Sequence, residues 1–319
     1  MARKRKGLPI SGWVNFDKPL GMGSTQAVGK VRWLFGAQKA GHAGTLDPLA
    51  SGVLPIALGE ATKTVPFMMD AAKGYDFTIT WGQNTASWDA EGDVTATSDV
   101  RPTREAIEVA LPQFIGDISQ VPPKYSAIKV DGKRAYALMR GKDAGSTVFE
   151  LQPRPVRVDS LLLNECSAHS ASFSLACGKG TYVRSLARDL AAALGACGHV
   201  TVLRRTRVGP FGLDDPQRPS FTLEALEESC HRGDVSAGLY PVSTALDDIP
   251  VLAVTEHDAN ELKHGRAIAL PLDFQDSPRS AKFGGLTLAT SGGIEIALLR
   301  ADGSLLTPKR VFNITPLLF

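Results

Sequence analysis

Alternation of apolar and polar residues predicts a half-buried strand over residues 73–82. Its side chains would point alternately into a core and towards polar surroundings. The apolar set is Tyr75, Phe77, Ile79 and Trp81, and the polar set is Asp76, Thr78 and Thr80. Shorter stretches of the same composition predict further strands at residues 10–16, 154–163, 171–177, 293–299 and 305–312.

Apolar residues spaced three and four apart predict helices that bury one face. The clearest begins with Thr181 as its cap, ends at Gly195 and presents to the core Val183, Leu186, Ala187, Leu190 and Leu194. A second is capped by Ser24 or Thr25 and ends at Gly36. Others are predicted at residues 103–114, 135–140, 221–233 and 255–265. This mixture of elements indicates an α+β protein.

The composition is that of a globular protein, since 43% of the 319 residues are hydrophobic. That is ample for one large domain with a small one attached. The net charge of +2 is distributed unevenly. Residues 246–319 carry seven Lys or Arg against nine Asp or Glu, so the first 245 residues carry the positive excess. Any nucleic acid would therefore be attracted mainly by residues 1–245.

The cysteines and the chain start suggest a cytoplasmic protein. The four cysteines form no CxxC pair, which argues against a disulfide framework and suits a reducing compartment. Cys197 and His199 would supply half a metal site, but no second ligand pair stands at suitable spacing, so no metal is expected. The basic residues 1–6 precede no apolar signal region, and no apolar run approaches the ~20 residues of a membrane span.

A glycine-punctuated stretch at residues 41–56 contains the most informative acidic residue, Asp47. Asp47 followed by Pro48 is a good helix start, with the aspartate as cap and the proline at the first helical position. Alternatively, Asp47 is a catalytic carboxylate, since it has no basic neighbour in sequence and needs a distant partner or a substrate. The spacing by itself leaves both interpretations open.

Residues 41–63, GHAGTLDPLASGVLPIALGEATK, closely resemble the signature of the TruB family of tRNA pseudouridine synthases. Three further segments resemble motifs of that family: KPLG at 18–21, QVPPKYSAIKVDGKRAY at 120–136 and CGKGTYVRSLARDL at 177–190. The resemblance covers about residues 8–210. It implies the pseudouridine synthase fold, an α+β fold with a central mixed, largely antiparallel sheet.

The resemblance also implies roles for individual residues. Asp47 would be the catalytic residue, and Arg184 would pair with it and keep it ionised. Tyr75 would stack on the target base, although its place in the alternating pattern also fits an ordinary core aromatic. His42 would fill the stack vacated by a flipped-out base, the alternative being a structural loop histidine. Leu203 would wall the pocket and exclude water.

Basic residues further along the chain predict RNA contacts. Six Lys or Arg interleave with two Tyr between residues 124 and 142, among them Lys129 and Arg134. This composition suits a surface that follows an RNA backbone, and an ordinary charged helix face is the alternative. Lys18 and Tyr182 are further predicted contacts to the substrate. The cluster at 204–207 is a candidate phosphate contact.

Two positions depart from the family pattern. Gly23 stands where the family usually has threonine or serine, and Ala86 stands where it often has an additional aspartate. The polar segment at 83–93 carries Asp89, Glu91 and Asp93. It lacks the ligand positions of a calcium-binding loop, so a solvated loop is expected.

The predicted organisation is a catalytic domain at residues 1–245 and a small PUA-like β domain at residues 246–319. The acidic second domain also fits a packing appendage. The predicted activity converts uridine 55 of the tRNA T-loop to pseudouridine, by a monomer without cofactor or guide RNA. Two alternatives remain: a guide-dependent enzyme of the box H/ACA type, which shares these motifs, and a non-catalytic RNA-binding or tRNA-folding protein.

Overall fold

A computed structural model of the chain describes residues 7–126, 129–130, 133–134, 151–234, 238–271 and 285–315. The strands of these residues are Gly12–Lys18 (β1), Ala40–His42 (β2), Ala50–Leu58 (β3), Lys73–Trp81 (β4), Gln83–Thr85 (β5), Val94–Thr97 (β6), Gly116–Gln120 (β7), Lys129–Val130 (β8), Lys133–Arg134 (β9), Arg154–Cys166 (β10), Ser170–Cys177 (β11), Gly198–Val208 (β12), Phe211–Gly212 (β13), Val251–Ala253 (β14), Ile268–Ala269 (β15), Leu286–Ser291 (β16), Ile294–Asp302 (β17) and Leu305–Val311 (β18).

The α-helices of the described residues are Ser24–Leu34 (α1), Val65–Asp70 (α2), Arg104–Ala110 (α3), Val183–Ala193 (α4), Leu223–His231 (α5) and Glu256–Lys263 (α6). Short 3₁₀ turns occupy Gly59–Lys63, Leu111–Phe114 and Val242–Leu246. The helix expected around Tyr136 and Met139 lies outside the described residues.

Helix starts follow the predicted capping pattern in some places and not in others. The hydroxyls of Thr103, Thr222 and Thr255 accept the backbone N–H three residues on and so cap α3, α5 and α6. Two predicted caps are wrong. Ser24 is already helical, and Gly23 stands at the cap position without a side-chain bond. Thr181 instead donates to the carbonyl of Gly178, and Tyr182 precedes α4.

The central sheet has the strand order β1-β3-β12-β4-β11-β10-β7, with β2 paired to β3 and β13 paired to β12. Neighbouring strands run antiparallel except β3 and β12, which are parallel. The prediction of a mixed, largely antiparallel sheet is therefore confirmed. β3 and β12 approach closely at Gly52, where a Cβ would overlap the carbonyl oxygen of Arg205.

The predicted alternation of β4 is also confirmed. Its residues Tyr75, Phe77, Ile79 and Trp81 are all buried. They meet Leu186, Leu190 and the rest of the apolar face of α4, and Phe77 stacks on Phe173 of β11 with 5.1 Å between ring centroids. This core holds α4 against the sheet, and Val183 of its first turn lies in the same cluster as Tyr75 of β4.

The strands from β14 onward form a second sheet, of order β14-β16-β17-β18-β15, which packs with α6 around a small core of its own. Leu288 and Leu298 of this sheet, with Phe312 just after β18, instead join a core with Trp13 of β1 and Met68 of α2. This curled five-stranded sheet is consistent with the predicted PUA-like module. The boundary between residues 245 and 246 stays a prediction.

Candidate active site

Asp47 lies in the loop between β2 and β3, and the helix start considered for it is wrong. The N–H of Ala50 donates to its carbonyl at 3.0 Å, which makes a turn that leads directly into β3. Pairing of β3 with β1 and β12 overrides the local Asp-Pro signal. The loop is fastened just before Asp47, because the Ser24 hydroxyl donates to the Leu46 carbonyl at 2.7 Å and accepts its N–H at 2.9 Å.

Arg184, in the first turn of α4, pairs with Asp47. Its Nη2 lies 2.7 Å from Asp47 Oδ2 and also donates to the carbonyl of Tyr125 at 2.8 Å. The Arg184 side chain is only 6% exposed, whereas that of Asp47 is 41% exposed. The pairing implied by the resemblance is thus present. It joins a buried cation to a carboxylate that an incoming molecule can reach.

Asp89 binds the other side of the same guanidinium. Arg184 Nη1 lies 3.2 Å from Asp89 Oδ2 and donates to the Ser87 carbonyl at 3.0 Å. Asp89 Oδ1 accepts from the Ser87 hydroxyl and, at 3.0 Å, from the N–H of Glu91. The expectation of a solvated loop is therefore wrong for Asp89, which is buried, although Glu91 and Asp93 are exposed.

The reason Asp89 was missed is its distant partner. Nothing local distinguishes it from Glu91 and Asp93, which follow two and four residues later in the same polar segment. Its partner, Arg184, lies on α4, far along the chain, and the burial of that arginine between two carboxylates is visible only in the fold. Arg188 forms an ion pair with Asp189, with Nη2 2.6 Å from Oδ1.

Tyr75 faces Arg205 across the β4–β12 pair and shares a hydrogen bond with its guanidinium. Burial raises the pKa of the Tyr75 hydroxyl above its ordinary value, while Arg205 opposes that rise. The Tyr75 ring is itself buried. It stands beside the loop of Asp47 because Arg205 links β4 to that loop.

Arg205 was expected at an RNA phosphate, and this expectation is wrong. The residue is 1% exposed. Its Nε donates to the Val53 carbonyl at 2.7 Å, Nη2 to Gly44 at 3.1 Å and Nη1 to Thr45 at 3.4 Å. A strand turns successive side chains to opposite faces, so the basic cluster is split. Its neighbour Arg204 pairs with Asp17, with Nη2 2.8 Å from Oδ2.

Two lysines, the buried Lys18 and the half-buried Lys73, lie near the same loop. Lys18 Nζ donates to the carbonyls of Pro19 at 3.0 Å and Met22 at 2.7 Å, so its ammonium is engaged by its own turn. Lys73 Nζ donates likewise to Met69 at 2.9 Å and Ala71 at 2.6 Å. Burial, followed by the charge of Arg205, lowers the pKa of each lysine to about 8.

The remaining predicted residues occupy the rim or lie farther along the chain. Leu203 of β12 lines a narrow cleft with Asp47, Asp89 and Arg184. The Tyr182 N–H donates to Gln120 Oε1 at 2.8 Å, and burial raises the pKa of its hydroxyl. His42 ends β2 opposite Ile56, and Lys129 and Arg134 lie opposite each other in the β8–β9 pair.

The assembled site is a reachable carboxylate on a buried cation, next to a buried tyrosine and an aliphatic wall. Such a group can act as a nucleophile or stabilise positive charge that develops on a sugar. Within the described ranges, no three His, Cys, Asp or Glu side chains are grouped closely enough to hold a metal ion. No helix of those ranges is long and apolar enough to cross a membrane.

Two family models match the chain. Residues 32–183 match the N-terminal domain of the TruB family pseudouridylate synthases, and residues 184–247 match the C-terminal domain of tRNA pseudouridylate synthase B. Among curated proteins, tRNA pseudouridine synthase B of Caulobacter vibrioides is 52% identical over 318 residues, which is 99% of this chain and 100% of that protein. The protein of the same name from Caulobacter sp. strain K31 is 54% identical over the same shares.

Solved structures share the fold. A chain of an H/ACA RNP bound to a substrate RNA containing 2′-deoxyuridine superposes with a TM-score of 0.68 at 23% identity, over 98% of this chain and 91% of that one. A chain of a Cbf5-Nop10-Gar1 complex gives 0.67 at 24% identity, over 94% and 84%. The predicted fold class is thereby confirmed.

Proposed function

Because this chain belongs to the TruB family of pseudouridylate synthases, we propose that it converts uridine 55 in the T-loop of tRNA to pseudouridine. The tRNA substrate is inferred from relatives that are about half identical over their full length and are named tRNA pseudouridine synthase B. The observation that carries the assignment of the catalytic group is the ion pair of a 41%-exposed Asp47 with a 6%-exposed Arg184.

The reaction moves one bond and one proton. The bond from sugar carbon 1′ to base nitrogen 1 breaks, the base turns, and carbon 1′ bonds to base carbon 5. The proton on carbon 5 leaves, and nitrogen 1 ends protonated, so no electrons are gained or lost. Asp47 acts in its ionised form, attacking either carbon 1′ or ring carbon 6. Both routes need the same carboxylate.

A base that is stacked within folded RNA cannot reach Asp47, so the uridine is flipped out at a cost of a few kcal/mol. His42, at the end of β2, fills the vacated stack. The extracted base then lies between Tyr75 and the aliphatic wall formed by Leu203. Tyr75 also takes part in the proton transfer from carbon 5.

The wider RNA contacts come from basic and aromatic residues outside the cleft. Lys129 and Arg134 follow the RNA backbone, and Tyr182 and Lys18 support the substrate near Asp47. Residues 1–245 form the catalytic domain and residues 246–319 the PUA-like domain. The protein acts as a monomer in the cytoplasm, without a cofactor.

One experiment distinguishes the proposed function from both alternatives, a guide-dependent enzyme and a non-catalytic RNA-binding protein. A pure protein and an unmodified tRNA transcript are incubated without guide RNA or cofactor, and pseudouridine is mapped at each uridine. Conversion at uridine 55 alone supports the proposal. Tight binding without conversion would favour a guide-dependent enzyme or a non-catalytic RNA-binding protein instead.

Asp47→Asn separates catalysis from binding in the same assay. We expect it to abolish conversion and to keep the Kd for tRNA within about threefold, because phosphate contacts supply most of the affinity. Asp93→Asn, in an exposed position, is the matched control and keeps both. Normal turnover by the Asp47 variant would show that another group does the chemistry.

A further inference from the structure

Trp88 adopts a backbone conformation that large side chains avoid. Its φ is +61°, and among the described residues it is the only non-glycine residue with a positive φ. This left-handed region is costly for a bulky residue and persists only where the surroundings over-determine it. The position is informative because the next residue is Asp89, which shares Arg184 with Asp47.

The Trp88 ring is held by Arg188. The guanidinium carbon of Arg188 lies 4.0 Å from the ring centroid, which is a close cation–π stack. Arg188 is itself fixed, since its Nε donates to Asp189 Oδ1 at 2.6 Å and its Nη2 contacts the Val121 carbonyl at 3.4 Å. The Trp88 backbone is fixed from the other side, because its carbonyl accepts the Val200 N–H of β12 at 3.1 Å.

The residues on both sides of Trp88 bind the other arginine of α4. Arg184 lies one turn before Arg188, donates to the Ser87 carbonyl and pairs with the Asp89 carboxylate. Three consecutive loop residues therefore dock on two arginines of one helix face. The left-handed turn at Trp88 allows Ser87 and Asp89 to bind Arg184 while the ring between them covers Arg188.

We infer that Trp88 and Arg188 are a positioning pair for the catalytic carboxylate. Their stack holds residue 88 in the left-handed conformation, and this conformation directs the Asp89 carboxylate towards Arg184. Because Asp89 holds Arg184 in place, Arg184 in turn fixes the position of Asp47. Neither residue of the pair lines the cleft that holds Asp47. The inference rests on the proposed function, because it assumes that Asp47 does the chemistry.

The test compares substitutions at position 88 by single-turnover conversion of tRNA, with the Kd for tRNA measured separately. Trp88→Ala removes the ring but keeps a Cβ in the unfavourable conformation, so we expect a rate about tenfold lower with an unchanged Kd. Trp88→Gly also removes the ring but adopts positive φ freely, so it should be faster than Trp88→Ala. Trp88→Phe keeps a ring over Arg188 and should retain most of the rate.

Variants of the partner complete the test. Arg188→Ala should lower the rate about as much as Trp88→Ala, Arg188→Lys should lower it less, and the Trp88→Ala/Arg188→Ala double variant should be no slower than either single one. Trp33→Ala is the matched control. It removes a 70%-exposed tryptophan under Lys30 on α1, with Nζ 5.2 Å from the ring centroid, and should leave the rate unchanged.

Several outcomes would overturn the inference while leaving the proposed function intact. These are a wild-type rate in Trp88→Ala, a loss that falls on the Kd rather than on the rate, and a Trp88→Gly protein slower than Trp88→Ala. A Trp88→Gly protein slower than Trp88→Ala is what we would expect if Trp88 only filled space, because glycine makes the loop more flexible than alanine does. A wild-type protein that converts no uridine would refute the proposed function and this inference together.

Discussion

Asp47 and Asp89 are bridged by a single guanidinium, with 2.7 Å from Arg184 Nη2 to the first carboxylate and 3.2 Å from Nη1 to the second. The three groups together carry one net negative charge. The side chains of Asp89 and Arg184 are only 11% and 6% exposed, so their charges are shielded from solvent. Asp47 is therefore the member of the three that a substrate can reach. The carboxylate that we propose as catalytic is thus one end of a row of three charged groups, of which the other two are buried.

The first prediction concerns Asp89, which binds Arg184 on the side away from Asp47. Asp89→Asn keeps the size of the side chain but withdraws the charge that holds Arg184 from behind, so the conversion rate should fall about tenfold or more. The affinity for tRNA should not change, since Asp89 faces inward. Asp93→Asn in the same loop serves as control, and equal rates for the two variants would contradict the prediction.

The second prediction concerns stability. Arg184→Ala leaves Asp89 buried without its cation and should lower the free energy of unfolding by about 3–5 kcal/mol, measured by urea denaturation. Arg104→Ala breaks an exposed i, i+4 pair with Glu108 and should cost at most about 0.5 kcal/mol. A similar loss from both variants would mean that Arg184 has no special electrostatic role.

The third prediction concerns the support under the Asp47 loop. Arg205→Met removes the donors to the carbonyls of Gly44, Thr45 and Val53. Each buried carbonyl left without a donor should lower the free energy of unfolding by about 1–3 kcal/mol. Hydrogen exchange should then speed up at the amides of residues 43–50. Arg204→Met, on the opposite face of β12, should leave those amides protected. Unchanged exchange in the Arg205 variant would rule out this support.

The fourth prediction concerns pH. Lys18 and Lys73 have a pKa of about 8 in the folded protein against an ordinary 10.5. Between these values the unfolded chain binds more protons, so the contribution of both lysines to stability rises as pH rises from about 8. Below pH 8 both states are protonated and the full burial penalty applies.

Lys73→Met tests this linkage by chemical denaturation at pH 7.5 and 9.0. The wild type should gain more stability between the two values than the variant does. The comparison stops at pH 9 because burial raises the pKa of Cys177 from 9.0 to about 11, which opposes the contribution of the lysines above that point. An identical gain in both proteins would show that Lys73 is not destabilised in its ammonium form.

The predictions from the sequence succeeded where a local pattern reflects a local cause. The period of two in β4 follows from a sheet buried on one face, so it indicated both the extent of the strand and the burial of Tyr75 and Phe77. The same holds for the apolar face of α4. The helix predicted to begin at residue 103 also begins there, since the bond from the Thr103 hydroxyl that caps it reaches only three residues.

The predictions failed where a residue takes a distant partner. Ser24 looked like a helix cap, but its hydroxyl binds Leu46. Asp89 looked solvated because Arg184 is remote in sequence, and Arg205 looked like a phosphate contact because a cluster of charges hides the strand period. Long-range pairing of this kind leaves no trace in spacing or composition.

The bond between Ser24 and Leu46 also bears on how the energy of recognition is divided between protein and RNA. A loop held by both its N–H and its carbonyl is already ordered, so little conformational entropy is lost there when RNA arrives. The conformational change on binding is then made mainly by the RNA, which must flip its base out into a site that is already in place. RNAs whose target loop opens easily should therefore be preferred over equally charged RNAs whose loop is stiff, so the mechanics of the substrate contribute to selectivity.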